Sequence, residues 1–415
     1  LTAIVVSLPF NNHRVMPSLR EIYKQSVGQT SEFSLALEVE RAKGCYIYTT
    51  DGKSYVDFNS GISVSSLGHC NPIIQDAIRE QASKHLHTMV YGEHVQETQV
   101  QLAQLLTQQL APSLSVVYYL LTGSEAVETA MKLARKATGR AEILAANLSY
   151  HGSTLGAESL RSDLEYKMHF APVIPGVRHL TFNVEEDLDK ITEKTACVII
   201  EPVQAERGVY PPIDNYLSKV AAKCRETGAL FVLDEIQTGF GRTGSLFAHQ
   251  KYDVTPDVMC IGKAMGGGLP LSAVVSSPEL ISSLVKYPAL GHITTFGGHP
   301  LSCATGHASL DYILTSGILD AVAAKSDKLY TAISTHPIVK EVRRSGMLMA
   351  VEVTKRKYLK YVVNHAMELG VIIDYFLFND RSFRLAPPLV IDDEALELGI
   401  SRLLGALDYA QGKYA

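Results

Sequence analysis

Short apolar runs alternate along the middle of the chain with longer stretches in which apolar positions recur at helical spacing. Residues 116–121 form one such run, and a helical stretch follows over 124–138. A second run occupies 196–200, a helix is expected over 213–226 and stopped by Gly228, and 229–233 is a third run. Further short strands are expected at 258–261 and 271–275, with a helix at 302–314. Runs without polar alternation belong to strands buried on both faces, as in a parallel sheet covered by helices. The last hundred residues read differently: strand 347–353, helix 355–369, strand 371–374 and a helix from Asp392. The expected architecture is therefore α/β, with a large, mostly parallel sheet domain over 61–300 and a smaller α+β domain over 301–415. An N-terminal arm over 1–60 would join the smaller domain.

Composition narrows the function. A chain of 415 residues, 46% hydrophobic, has ample length for a large core. Its 38 basic residues are outnumbered by 43 acidic ones and form no run, which argues against a nucleic-acid partner. No apolar stretch approaches the ~20 residues of a membrane span. Residues 1–9 are apolar but lack a basic lead and a small-residue cleavage site. They are read as an irregular or artefactual N-terminus, with Met16 a candidate start, rather than as a signal peptide. The 6 cysteines are widely spaced with no C-x-x-C, which suits reduced, mostly buried thiols of a cytoplasmic protein. The 14 histidines are scattered and no H-E-x-x-H occurs, so no metal site is expected.

In open α/β sheets ligands bind beyond the carboxyl ends of the strands, and the strand ends here carry unusual residues. The run 116–121 leads into Thr122-Gly123-Ser124 and a helix. Free N–H groups at such a helix start, with a glycine permitting close approach, suit an anion. The competing reading makes Ser124 an ordinary N-cap. The run 229–233 delivers Asp234 and Glu235, acids that are costly to bury without a partner and are otherwise solvated strand-end carboxylates. Gly239, Gly241 and Gly244 then spell a formal G-x-G-x-x-G, but it neither follows the strand at once nor opens a long helix, so a dinucleotide fingerprint is excluded. Gly262-Lys263 is followed by Ala264 and has Asp257 where a Walker loop needs its first glycine, so a P-loop also fails. What remains is a lysine after a buried strand, beside Gly266, Gly267 and Gly268. Desolvation there lowers the pKa and makes the amine nucleophilic, as Schiff-base chemistry requires. A snorkelling surface lysine has no need of three neighbouring glycines.

Taken together, Asp234-Glu235-Ile236-Gln237-Thr238-Gly239, Gly241-Arg242-Thr243-Gly244 and Lys263 resemble the class III pyridoxal-phosphate aminotransferases, the group of ornithine, acetylornithine and 4-aminobutyrate aminotransferases. The resemblance continues in Thr122-Gly123-Ser124-Glu125-Ala126, Tyr150-His151-Gly152, Glu201-Pro202-Val203-Gln204, Thr295-Phe296-Gly297-Gly298 and Arg384-Leu385-Ala386-Pro387-Pro388-Leu389, in the family's order. It implies the fold type I of pyridoxal-phosphate enzymes and a homodimer with shared sites. It further implies that Lys263 holds the cofactor as an internal aldimine and shuttles the substrate proton. Asp234 would pair with the pyridine nitrogen, Gly123 and Ser124 with the phosphate, and Gln237 with the ring hydroxyl. Tyr150 and Ile236 would flank the ring, and Thr295 would reach the phosphate of the other subunit. Arg384 resembles the arginine that holds a substrate carboxylate, and Glu206 the acid that pairs with it when an ω-amine donor is bound.

The implied activity is transfer of an amino group from an ω-amino or diamino-acid donor to 2-oxoglutarate, in amino-acid metabolism. Alternatives are an aminomutase or other enzyme on the same cofactor, and a non-catalytic relative that serves as a binding or scaffold protein. Ser153 stands where ornithine and acetylornithine enzymes have arginine, which weakens an acetylornithine assignment unless Arg161 or Arg207 compensates. Tyr91 falls in a region that lines the substrate channel in relatives and is equally well read as core packing.

Overall fold

The computed structural model describes residues 18–32 and 34–413; the N-terminal run 1–9 and Met16 lie outside them. At its centre is a seven-stranded sheet in the order Val116–Leu120, Ser272–Ser276, Val258–Ile261, Leu230–Asp234, Thr195–Ile200, Glu142–Ala146, Val177–Leu180. Only Ser272–Ser276 runs against its neighbours, so the sheet is mostly parallel as expected. The two-residue period of a strand divides each apolar run between two cores. Ile143, Cys197, Ile199 and Val232 face one side with Ala126, Val127, Ala130 and Leu133 of the helix Gly123–Thr138. Leu144, Val198, Ile200, Phe231 and Leu233 face the other with Tyr216, Leu217 and Val220 of the helix Tyr216–Thr227. That is why these runs show no polar alternation. The expected strands lie within one residue of their positions, whereas Glu142–Ala146 and Val177–Leu180 carried no clear signal. The former opens on an acid and holds two alanines; the latter is an edge strand with Arg178 and His179 at its centre.

Towards the C-terminus an antiparallel sheet joins Val339–Ser345, Leu348–Val353, Ser382–Leu385 and Asp374–Tyr375, with the helices Arg356–Leu369 and Ile318–Ser334 packed beside it and the helix Asp393–Gly412 packed on those two helices. The single strand expected over 371–374 is two. Val371–Ile372 pairs in parallel with Ser54–Asp57, completing a third sheet with Val39–Lys43 and Tyr46–Thr49. Asp374–Tyr375 crosses to the other sheet, opposite Arg384 and Phe383. The buried Ile373 between them is the pivot.

Arg242, from the G-x-G-x-x-G segment, is fully buried and fastens distant parts of the chain. It donates to the carbonyls of Met347 at 3.0 Å and Pro387 at 2.6 Å, and to the hydroxyls of Ser60 at 3.2 Å and Ser66 at 3.3 Å. All 6 cysteines are free, with Cys70 alone exposed. Among the described residues no helix is long and apolar enough to cross a membrane, and no cluster of metal-ligating side chains occurs.

Candidate active site

A cavity of about 200 Å³ opens at the carboxyl ends of the central strands. Gly123, Ser124, Tyr150, Asp234, Ile236, Gln237 and Lys263 line it, together with His151, Gly152 and Glu201. The last three stand inside the motifs Tyr150-His151-Gly152 and Glu201-Pro202-Val203-Gln204, where the sequence alone gives them no role. Glu201 carried the same signal as Asp234, an acid at the end of a buried strand.

The helix start is built by a capping box whose N-cap lies two residues before Ser124. Thr122 is the N-cap, its hydroxyl accepting the Glu125 N–H at 3.3 Å, while the Glu125 carboxylate accepts the N–H of Leu121 at 2.8 Å and Thr122 at 3.1 Å. The ordinary-cap reading of Ser124 is thereby corrected: the earlier threonine satisfies the helix end. The Ser124 hydroxyl instead accepts the Ser153 N–H at 3.2 Å. First-turn N–H groups lack helical acceptors and offer themselves to an anion. A Cβ on Gly123 would stand 2.9 Å from Ile236 Cδ1, so glycine lets that side chain pack over the helix start.

Gly152 brings the next loop onto the same spot. Its φ of +128° disfavours any side chain, and a Cβ there would collide with the Ser124 hydroxyl. His151, buried, donates Nδ1–H to Asp234 Oδ2 at 2.7 Å, and Asp234 Oδ1 accepts the Ile236 N–H at 3.0 Å. Burial works against the His151 imidazolium, but the hydrogen bond and charge of Asp234, with Glu201 adding, hold its pKa above the ordinary value. Glu235 turns the other way. It is fully buried and accepts from the backbone N–H of Ala248 at 3.1 Å and His249 at 2.7 Å, which fixes a turn and leaves Asp234 as the one of these two adjacent acids that lines the cavity.

Lys263 follows the strand Val258–Ile261 through Gly262, at a left-handed φ of +49°. Burial lowers the pKa of its amine; the carboxylates of Asp234 and Glu206 oppose that, and Arg384 adds to it. Arg384 and Glu206 form a buried ion pair, NH2 to Oε1 at 2.5 Å, and Glu206 Oε2 also accepts the Leu377 N–H at 3.1 Å. Arg384 Nε and NH1 are buried without partners among the described residues, with the Phe376 ring 4.7 Å from its Cζ. The fork is thus half engaged.

Thr295 is exposed and Tyr91 half-buried, and neither lines the cavity. The two cations considered as substitutes near Ser153 are engaged elsewhere. Arg161 donates to Glu158 and Asp163, each at 3.2 Å, and Arg207 to Gln204 Oε1 at 3.1 Å.

A sequence profile of the family described as Aminotransferase class-III matches residues 27–407. The acetylornithine aminotransferase of Clostridium acetobutylicum is 36% identical over 375 residues, spanning 87% of this chain and 94% of its own length. That of Methanosarcina mazei is 38% identical over 368 residues, spanning 87% and 89%. Among solved structures, the ornithine aminotransferase of Toxoplasma gondii superposes with a TM-score of 0.88 at 27% identity, covering 96% of this chain and 97% of that one.

The cavity suits the pyridoxal phosphate of that family on its own chemistry. A helix start offers donors to a phosphate, an amine of lowered pKa faces an acid held by a buried histidine, and the buried Gln237 Nε2 and His151 Nε2 have no partner among the described residues. With this fit and a match over most of its length, the chain belongs to the class III aminotransferases, which work with pyridoxal phosphate.

Proposed function

We propose that the protein moves an amino group from an ω-amino or diamino-acid donor, of the acetylornithine, ornithine or 4-aminobutyrate type, to 2-oxoglutarate. The observation that carries this reading is the buried Arg384–Glu206 pair, whose charges act on Lys263. Pyridoxal phosphate, when bound, supplies a sink for the electrons left on the substrate carbon as its proton departs. Gly123 and Ser124 would hold its phosphate, Tyr150 and Ile236 its ring faces, and Gln237 its ring hydroxyl. Asp234, oriented by His151, would keep the pyridine nitrogen protonated. Lys263 would anchor the cofactor through its amine and, when released, carry the substrate proton at Nζ. With Glu206 on Arg384 the charge is balanced and an amine-ended donor can enter. An oxo acid then takes the Arg384 fork as Glu206 turns away.

Thr295, exposed in this chain, would reach the cavity of a second copy, in a homodimer with shared sites, and Tyr91 would line the donor channel. Six unpaired thiols favour a reducing, cytoplasmic compartment. With Arg161 and Arg207 both engaged, the absence of an arginine at Ser153 counts against acetylornithine as the donor.

The test is the visible absorbance of the holoenzyme before and after ornithine, N-acetylornithine, 4-aminobutyrate, lysine or putrescine, without oxo acid. Loss of the cofactor band with one donor, and its return with 2-oxoglutarate, is the expected result. Product formed without any oxo acid would replace the reading by an aminomutase. A protein that stays colourless with added pyridoxal phosphate would replace it by a non-catalytic relative.

A further inference from the structure

Glu201 is buried in the cavity wall directly after the strand Thr195–Ile200, and the reaction outlined above makes no use of it. Its two carboxyl oxygens serve two loops. Oε1 accepts the Tyr150 N–H at 3.4 Å, and Oε2 accepts the Ala205 N–H at 3.0 Å. The first loop carries Tyr150 and His151, hence the aromatic wall and the partner of Asp234. The second carries Glu206, hence the partner of Arg384. One side chain is therefore hydrogen-bonded to the residue of the cofactor wall and to the residue just before the acid that guards the arginine.

We propose that Glu201 is a positioning residue that holds the Tyr150 loop and the Glu206 arm in register, so that the cofactor wall and the Arg384 fork meet the substrate together. The inference rests on the aminotransferase reading. The demand for a carboxyl at this place is chemical. Both neighbours present N–H donors, so an amide must turn its NH₂ towards one of them, leaving a donor facing a donor. Aspartate, one methylene shorter, cannot span both loops. The setting is also charged on every side. His151 and Asp234 lie towards the cofactor wall, Glu206 lies on the same arm, and Lys263 responds to the charges of Asp234, Glu206, Arg384 and Glu201 itself. Burial lifts the Glu201 carboxyl to about 7, against the pull of His151 and the Ala205 N–H.

The experiment compares Glu201→Gln with the parent enzyme in two measurements. The first is the affinity of the apoprotein for pyridoxal phosphate, titrated by visible absorbance. The second is KM and kcat for donor and oxo acid taken separately. The expected variant binds pyridoxal phosphate several-fold more weakly, because the Tyr150 wall shifts. Its KM for the oxo acid rises about tenfold while the donor KM changes less than twofold, because the Arg384 fork is what loses its register. A loss confined to kcat, or an equal rise in both KM values, would overturn the proposal, and so would parent-like cofactor affinity with parent-like KM values. Should Glu201→Gln not fold, Glu201→Asp keeps the charge and carries the same comparison. If the parent enzyme itself gives no half-reaction with any donor, the aminotransferase reading is what fails, and the cofactor titration still decides whether Glu201 sets the wall.

Discussion

Lys263 combines a left-handed backbone, a half-buried side chain whose amine has a lowered pKa, and nearby acids, a strained and costly arrangement that only function repays. Lys263→Ala should lower kcat by at least ~10²–10⁴-fold, the range for losing a positioned proton carrier, in single-turnover assays with a saturating donor. Glu206→Ala should cost about 3–5 kcal/mol in urea unfolding, because it leaves Arg384 as an uncompensated buried charge. Combining it with Arg384→Met should recover most of that loss. Glu201 adds a pH effect. The folded protein keeps a proton that the unfolded chain releases between the ordinary 4.5 and about 7, so apoprotein stability falls as pH rises through that window. His151, whose pKa is also raised, loses its contribution as pH climbs above its ordinary 6.5. Glu201→Gln should flatten the lower part of this decline in thermal melts at pH 4.5–7.

At the scale of elements, the site depends on how two loops and a helix start are pressed together. Gly152→Ala should weaken pyridoxal phosphate binding by more than tenfold, because its left-handed φ and the Ser124 hydroxyl leave no room for a methyl group. Thr122→Ala removes the cap and should cost about 1 kcal/mol in the same unfolding assay. Apolar runs were legible as strands because burial on both faces removes polar alternation from the central strands of the sheet. Val177–Leu180 carries Arg178 and His179 at its centre, unlike the all-apolar Val116–Leu120 at the opposite edge, and Glu142–Ala146 is too rich in alanine to stand out. The division of 371–374 between two sheets could not be read locally, since each dipeptide takes its identity from a distant partner, Ser54–Asp57 or Ser382–Leu385.

For the molecule as a whole, Arg242 joins the loop after the central strand to Ser60 and Ser66 near the N-terminus and to Met347 and Pro387 near the C-terminus. Arg242→Ala would strand two buried carbonyls at ~1–3 kcal/mol each, and a loss of several kcal/mol is expected in guanidinium unfolding. The Pro387 carbonyl lies three residues beyond Arg384, so the substrate KM should also rise, which a change remote from that segment would not cause. The motif looked like a nucleotide loop in spelling alone. Its glycines turn the chain, and its arginine is structural mortar.

The linear chain determined the α/β alternation and the placement of Lys263, Asp234 and Gly123 at strand ends, because strand period, strand length and the residues that follow a strand are local properties. Tertiary structure decided which of the adjacent acids Asp234 and Glu235 faces the cavity, which residue caps the helix, and that Arg161 and Arg207 are already engaged. It also paired Glu206 with Arg384 across 178 positions and set Glu201 between two loops. Those outcomes turn on burial and on partners far apart in sequence, which no local pattern encodes.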